Sequence, residues 1–378
     1  MMKLTTAGES HGKALVAILE GIPAHLQLNV DLINDELARR QSGYGRGGRQ
    51  KIESDKIEIL SGVRNGETLG SPIALCIYNR DYENWKSCMS DGECDEKAVE
   101  EKRLTKVRPG HADYVGMQKF AWCDARNVLE RASARETAIR VAAGGIYKQY
   151  LAMLGVQVTG YVRSICGITD ETEYSFAEIQ SNRNPATGML DGEKSEQAKR
   201  KIDELAEDGD TAGGAVEIRV SGLKSGFGSM MSYAEKLDAR LAQGLMSIQA
   251  VKGVEIGDGF ALAGVSGREA HDELFSCGQG VCRKTNHAGG IEGGMSNGEE
   301  IVVRVAMKPI PTLRKGLRTI DTATGKETVA AAERSDVCAI VALEVIAEAV
   351  VAQVLAFAVS ERLGGDTMRQ VIERYQNL

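Results

Sequence analysis

The sequence predicts an α+β fold built as one domain over residues 1–378, and three observations point there. With 43% hydrophobic and 26% charged residues, the chain has enough apolar material for a real core and too little charge bias for disorder. Strand-like and helix-like segments interleave without a regular βαβ rhythm. No fixed-period repeat, low-complexity tract or Pro-rich linker cuts the chain in two.

In chain order, β-branched enrichment predicts strands at 56–61, 72–78, 157–166, 215–221 and 301–308. Asp31 is placed to cap a helix through Leu32, Ile33 and Leu37 that ends near Gly43. Ser133 and Glu136 have capping-box spacing before the periodic Ile139, Ala143, Ile146 and Tyr150. Residues 195–207 read as a charged surface helix. The apolar stretch 340–359 contains Glu344, Glu348 and Gln353, which suits a buried helix better than a membrane span. Segments 86–106 and 169–214 are charged or polar and read as peripheral insertions.

Net charge of −7 argues against a broad cationic face for nucleic acid or anionic lipid, so any anion site must be local. The eight cysteines contain no C-x-x-C, which speaks against a zinc ribbon, a redox motif or a dense disulfide framework and favours a reducing cytoplasm. Residues 1–13 lack the basic and apolar regions of a signal peptide. No metal site is expected, because no histidine pair or Cys/His set has ligand spacing.

Glycine is abundant, with 43 residues, and the glycine-rich segments carry the chemistry. Gly43 to Gly48 match G-x-G-x-x-G, but a helix precedes them and no helix follows, so the dinucleotide-fold reading fails. What remains is a loop bearing Arg39, Arg40, Arg46 and Arg49, suited to a polyanion through forked hydrogen bonds. The bland alternative pairs Arg39 and Arg40 with Asp35 and Glu36 but does not explain Arg46 and Arg49, which are expected to face solvent and bind anions. His11 and His111 each lie on a tight turn, in Gly8-Glu9-Ser10-His11-Gly12 and Arg108-Pro109-Gly110-His111-Ala112-Asp113. Such turns suit acid/base work or structural hydrogen bonding. Arg131 and Arg135 flank a capped helix start, a good place for phosphate. The run 286–298, too glycine-rich for helix or strand, can lay amides against a planar or phosphorylated cofactor. Asp336 precedes the apolar helix and is either a helix cap or an acid at a desolvated edge.

Taken together, GESHG at 8–12, RRQSGYGRGGR at 39–49, RPGHAD at 108–113, RASARETA at 131–138, MSIQAVKGVEIGDGF at 246–260, NHAGGIEGGMSNG at 286–298, KPIPT at 308–312 and RSDVCA at 334–339 resemble the chorismate synthase family nearly end to end. The resemblance implies a β-α-β sandwich of antiparallel sheets and helices, assembled as a homotetramer. It also implies a phosphate-eliminating carbon–oxygen lyase at the last common step of the shikimate pathway. That reaction converts 5-enolpyruvylshikimate 3-phosphate to chorismate by anti 1,4-elimination and needs reduced FMN although it is redox-neutral, with NADPH as an indirect reductant.

By the same resemblance, His11 and His111 are acid/base groups, one near the departing phosphate and one near the flavin, and Asp336 helps proton removal near flavin N5. FMN contacts fall on Arg131, Ala132, Ser133, Gln249, Ala250, Gly293, Lys308, Pro309, Ile310, Pro311, Thr312 and Arg334. Arg40 and Arg46 match positions assigned to NADP and serve substrate anions equally well; Arg49, Arg108 and Arg135 are further substrate-anion candidates. Gln249 stands where asparagine or a small residue is more usual, and Val341 replaces a common proline. Two other readings use the same residues: a pyridine-nucleotide or flavin oxidoreductase, and an RNA binder built on Gly45 to Arg49. The acidic charge and scarce aromatics weigh against the second.

Overall fold

The computed structural model describes the chain except residues 49–53, Gln279, Ala332 and Arg334. Two antiparallel sheets enclose a helical layer. Strands β1 (Lys3–Gly8), β2 (Ala14–Glu20), β3 (Glu58–Ser61) and β4 (Ile73–Tyr78) form the first sheet in the order β1-β2-β4-β3. The second contains β5 (Gln157–Ile165), β6 (Ile168–Thr169), β7 (Gly214–Ser221), β8 (Val251–Ile256) and β9 (Ile301–Met307), in the order β8-β9-β7-β5-β6.

Three helices fill the space between: α1 (Val30–Gln41), α2 (Thr137–Ala152) and α3 (Ile340–Leu363). Helix α2 touches β2 and β4 on one side and β5 on the other, while α3 lies on β5, β7 and β9. This is the expected β-α-β sandwich. The Gly144-Gly145 step lets α2 approach two neighbours at once. A Cβ on Gly144 would come within 2.7 Å of Ala349 Cα, and one on Gly145 within 3.1 Å of Ile33 Cγ1. Glycine here removes bulk where backbones must close up.

All five predicted strand segments and the four predicted helices are present, but the hairpin β1–β2 and strand β8 were not anticipated. β2 mixes alanine and leucine with Val16 and Ile18, so β-branched enrichment alone does not mark it; Leu15, Ala17 and Leu19 alternate inward and are fully buried, as a half-covered strand requires. Two caps also differ from expectation. Asn29 caps α1, its Oδ1 accepting from the Asp31 and Leu32 amides, and Asp31 lies in the first turn. Ser133 Oγ accepts from the Arg135 amide, but Glu136 turns away to accept from Thr6 Oγ1 at 3.1 Å, so no capping box forms. Cys277 and Cys282 join in a disulfide across the hairpin of Leu274–Cys277 and Gly280–Arg283, while the other six cysteines are free, far from the dense disulfide framework that the sequence argued against.

Helix α3 carries apolar side chains all round, as a helix enclosed by neighbours does, interrupted by two buried acids. Its two carboxylates, one turn apart, meet cations from three directions. Arg183 reaches Glu344 at 2.6 Å and Glu348 at 2.9 Å, Arg39 reaches both, and Lys148 binds Glu348 and Glu36. Arg39 thus pairs with Glu36, as the sequence allowed, but chiefly braces α1 on α3. Burial opposes ionisation of both acids. Lys148, Arg39 and Arg183 nevertheless hold Glu348 well below the usual carboxylate range, while burial and the neighbouring Glu348 charge push Glu344 up to about 7. Glu348→Gln is therefore expected to cost about 3–5 kcal/mol, the scale for breaking a buried ion pair from one side. Glu344→Gln should cost far less in urea unfolding at pH 7, and equal losses would contradict this division.

Candidate active site

The turn between β1 and β2, the loop after α1, the turn at 108–112 and the segment before α3 converge on one cavity of about 490 Å³. His11 projects from the first turn and is almost wholly buried. Its Nδ1 lies 2.8 Å from Glu130 Oε1, its main-chain N–H donates to Glu130 Oε2 at 2.7 Å, and its ring stacks on Trp85 at 4.0 Å. Glu130 and its neighbour Arg126 come from the short helix Arg126–Ala132. That helix is seated by a small separate core of Leu104, Val107, Met117, Ala125, Val128 and Leu129. The segment read as a peripheral insertion at 86–106 contributes here: Lys102 lies 4.7 Å over Trp85, and its carbonyl accepts from Arg126 Nε.

His111 follows Gly110, whose φ of +78° makes the tight turn that presents the ring. Nδ1 of His111 lies 2.6 Å from Asp113 Oδ1. Asp113 is fully buried and also accepts from Arg108 Nε at 2.8 Å and Nη2 at 2.9 Å. Burial opposes its ionisation, yet the hydrogen bonds from His111 and Arg108 hold its carboxyl well below the usual range. Arg108 Nη1 donates to Thr312 Oγ1, and Lys308 Nζ to the Gly110 carbonyl, so the 308–312 segment and the His111 turn are stitched together. With its nitrogens engaged by Asp113 and Thr312, Arg108 serves this scaffold rather than the open anion role expected of it.

At the cationic end, Arg40, Arg46 and Arg135 gather around Asp55 and Asp336. Arg135 donates to Asp55 Oδ2 at 2.7 Å and to Asn79 Oδ1 at 2.9 Å. Arg40 binds Thr137 Oγ1 and the Ala134 carbonyl, with Asp55 at 3.7 Å. Burial, and the nearby Arg135 and Arg46 charges against the pull of Asp55, push the Arg40 guanidinium down to about 9. Such an excess of positive charge favours a bound anion. Arg46 meets Asp336 Oδ2 at 3.2 Å, and its buried Nε has no hydrogen-bond partner among the described residues. Asp336 Oδ1 accepts the Gly47 amide at 2.6 Å. The capping alternative for Asp336 fails, because Ala339 occupies the cap of α3 without a side-chain bond.

Of the residues singled out in the sequence, His11, Arg40, Arg46, Arg108, His111, Ala132, Ser133, Arg135, Gln249, Ala250, Lys308, Ile310, Pro311, Thr312 and Asp336 line this cavity. Arg131 does not: it faces the β1–β2 turn, donating to the Gly8 carbonyl and Thr6 Oγ1. Gly293, in the turn of a small hairpin, and the exposed Pro309 are not among the residues that line the cavity. Arg49 and Arg334 fall outside the described residues. Val341 is in the first turn of α3, with its side chain against Gly43, and does not itself carry Asp336. Sequence reasoning missed Trp85, Glu130, Asp55, Asn79 and Ser10, whose Oγ donates to Ser133 Oγ.

Arg46 was expected to face solvent, but its side chain is 8% exposed and ion-paired. Arg46→Ala should therefore raise the substrate KM at least tenfold and also lower stability by about 1–2 kcal/mol, since a half-buried carboxylate loses its partner. Thermal unfolding alongside steady-state kinetics checks both; an unchanged KM would remove Arg46 from anion binding.

A family model for chorismate synthase matches residues 2–359. A chorismate synthase of Geobacter sulfurreducens is 51% identical, covering 100% of this chain and 98% of the relative, and one of Caldicellulosiruptor bescii is 48% identical over 100% and 99%. A crystal structure of chorismate synthase matches with a TM-score of 0.78 at 40% identity, covering 100% of this chain and 96% of the other. With sequence and fold in agreement, this protein belongs to the chorismate synthase family of phosphate-eliminating lyases.

Proposed function

We propose that this chain converts 5-enolpyruvylshikimate 3-phosphate to chorismate and phosphate by anti 1,4-elimination, with reduced FMN bound in the same cavity, as the last common step of the shikimate pathway. One observation carries the reading: two histidines, each backed by a buried carboxylate, share a cavity with three clustered arginines. The arginines suit a substrate with a phosphate and two carboxylates, and they bind by charge-assisted, forked hydrogen bonds.

The residues also fit the flavin. Ile248, Met307, Leu343 and Ile346 give the cavity an apolar wall for a planar ring. Gln249 Oε1 is buried beside that wall without a hydrogen-bond partner among the described residues, and is ready to accept from a ring N–H. Ala132, Ser133, Gln249, Ala250 and the 308–312 segment would hold the group. When bound, reduced FMN supplies transient electron density that eases loss of phosphate from an unactivated allylic system.

The protein's own residues position and move protons. Arg40, Arg46 and Arg135 hold the anionic groups and draw charge toward the departing phosphate. His111, tied through Arg108 to Thr312, acts on the flavin side, and His11 protonates the departing phosphate. Asp336, held at the cavity edge by Arg46 and the Gly47 amide, takes part in removing the ring proton. The apolar wall and the stacked Trp85 exclude water from the departing groups.

NADPH enters this scheme as an indirect reductant. A cytoplasmic homotetramer belongs to the same reading and is supported by exposed apolar side chains at Met230, Met231, Tyr233 and Phe260, which a subunit interface would cover. Anaerobic incubation of the protein with the substrate and chemically reduced FMN tests the function. Chorismate and phosphate should appear in equal amounts, whereas a reduced substrate accompanied by NADPH oxidation would mark an oxidoreductase instead.

A further inference from the structure

We propose that Glu130 is a positioning residue that keeps a proton on His11 Nδ1, so that Nε2 is the atom that gains and loses the transferable proton: His11 donates from Nε2 as the imidazolium and is left as the neutral Nδ1–H tautomer; this rests on the acid/base reading of His11. Glu130 grips the Ser10–His11 turn at three points. Its carbonyl accepts the Ser10 amide at 2.9 Å, Oε2 accepts the His11 amide at 2.7 Å, and Oε1 meets His11 Nδ1 at 2.8 Å. The acid is 3% exposed and the imidazole 7%, so water cannot replace these bonds freely.

An ionised carboxylate only accepts. The main-chain donor already occupies Oε2, and the Arg126 guanidinium stands 3.9 Å from Oε1, so both oxygens face donors and the proton of a neutral His11 must sit on Nδ1. No hydrogen bond to Nε2 occurs among the described residues. Trp85, stacked at 4.0 Å, fixes the plane of the ring, while Lys102 and Arg126 lie over Trp85 at 4.7 and 5.2 Å. The tautomer is thus set by Glu130, which does not line the cavity, and the ring plane by Trp85, which does.

Glu130→Gln separates positioning from mere support. An amide offers one acceptor and one donor to two groups that both donate. If its oxygen takes the main-chain N–H, its NH2 faces Nδ1 and forces the proton to Nε2. If its oxygen takes Nδ1–H, the buried His11 amide is opposed by a donor. Turnover should fall by roughly 10²-fold, the scale of a lost acid/base group, with KM within a few-fold because the arginines are untouched.

The deciding measurement is long-range 1H–15N correlation on protein labelled with 15N-histidine, at a pH where the imidazoles are neutral, with the His11 signal assigned by its loss in His11→Asn. Wild type should show Nδ1–H, and Glu130→Gln should show Nε2–H or a mixture. An Nε2–H tautomer in the wild type overturns the proposal even if Glu130→Gln does not fold. Wild-type kcat with an unchanged tautomer in Glu130→Gln overturns it as well. If His11→Asn abolishes turnover while Glu130→Gln does not, positioning alone fails; if His11→Asn turns over normally, the acid/base reading fails and takes the proposal with it.

Discussion

Replacing His11 or His111 with alanine is expected to cut turnover by roughly 10²-fold or more, the usual effect of removing a general acid or base. The two losses should differ in kind. His11→Ala leaves Glu130 Oε1 without its imidazole partner and Trp85 without its stacked ring, so a stability loss on the order of 1–2 kcal/mol should accompany it. His111→Ala leaves Asp113 with three bonds from Arg108 and should unfold almost as the wild type does. Rates under saturating reduced FMN, beside thermal melts of each variant, check both expectations. If both variants keep the wild-type rate, neither histidine moves a proton in the reaction.

Asp336→Asn is expected to bind substrate and reduced FMN nearly as the wild type does, but to form chorismate at least about 10²-fold more slowly in an anaerobic single turnover. The carboxylate has two structural contacts, the Gly47 amide and Arg46, and an asparagine keeps an acceptor for the first while opposing the second with a donor. A purely structural Asp336 would therefore loosen the Arg46 loop. KM would rise and the single-turnover rate at saturation would be preserved. A slow rate with KM nearly intact assigns the loss to the ionisable group; an unimpaired rate eliminates proton transfer at Asp336.

Local sequence revealed the site wherever backbone geometry imposed its own residue types. Histidines beside glycine and proline turns, and arginines on a glycine loop, are visible because the chain must bend to present them, and His11, His111, Arg40 and Arg46 do converge. Glu130 left no such mark. It is one acid in a short helix, and its meaning comes from a residue 119 positions away. Trp85 and Asp55 were silent for the same reason. Glu136 shows the opposite failure: its spacing from Ser133 matches a capping box, yet Thr6 from the first strand captures the carboxylate. Arg131 likewise looked like half of a phosphate clamp, but its side chain turns toward β1 while Arg135 turns inward. In the fold, the apolar α3 was legible because its length and composition leave burial as the stable outcome for a helix carrying two carboxylates. β2 was not, since a short run of alanine and leucine with only Val16 and Ile18 β-branched is marked as a strand chiefly by the alternation that the sheet imposes.

The most direct measurement is the stoichiometry of turnover on a single charge of reduced flavin. Under strict anaerobiosis, a limiting amount of FMN is reduced once, excess substrate is added, and chorismate is counted against flavin oxidised. A redox-neutral elimination in this cavity predicts many chorismate molecules for each FMN present, with the flavin still reduced at the end and no NADPH required. One product per reduced flavin, or product formed only while NADPH is consumed, would contradict it.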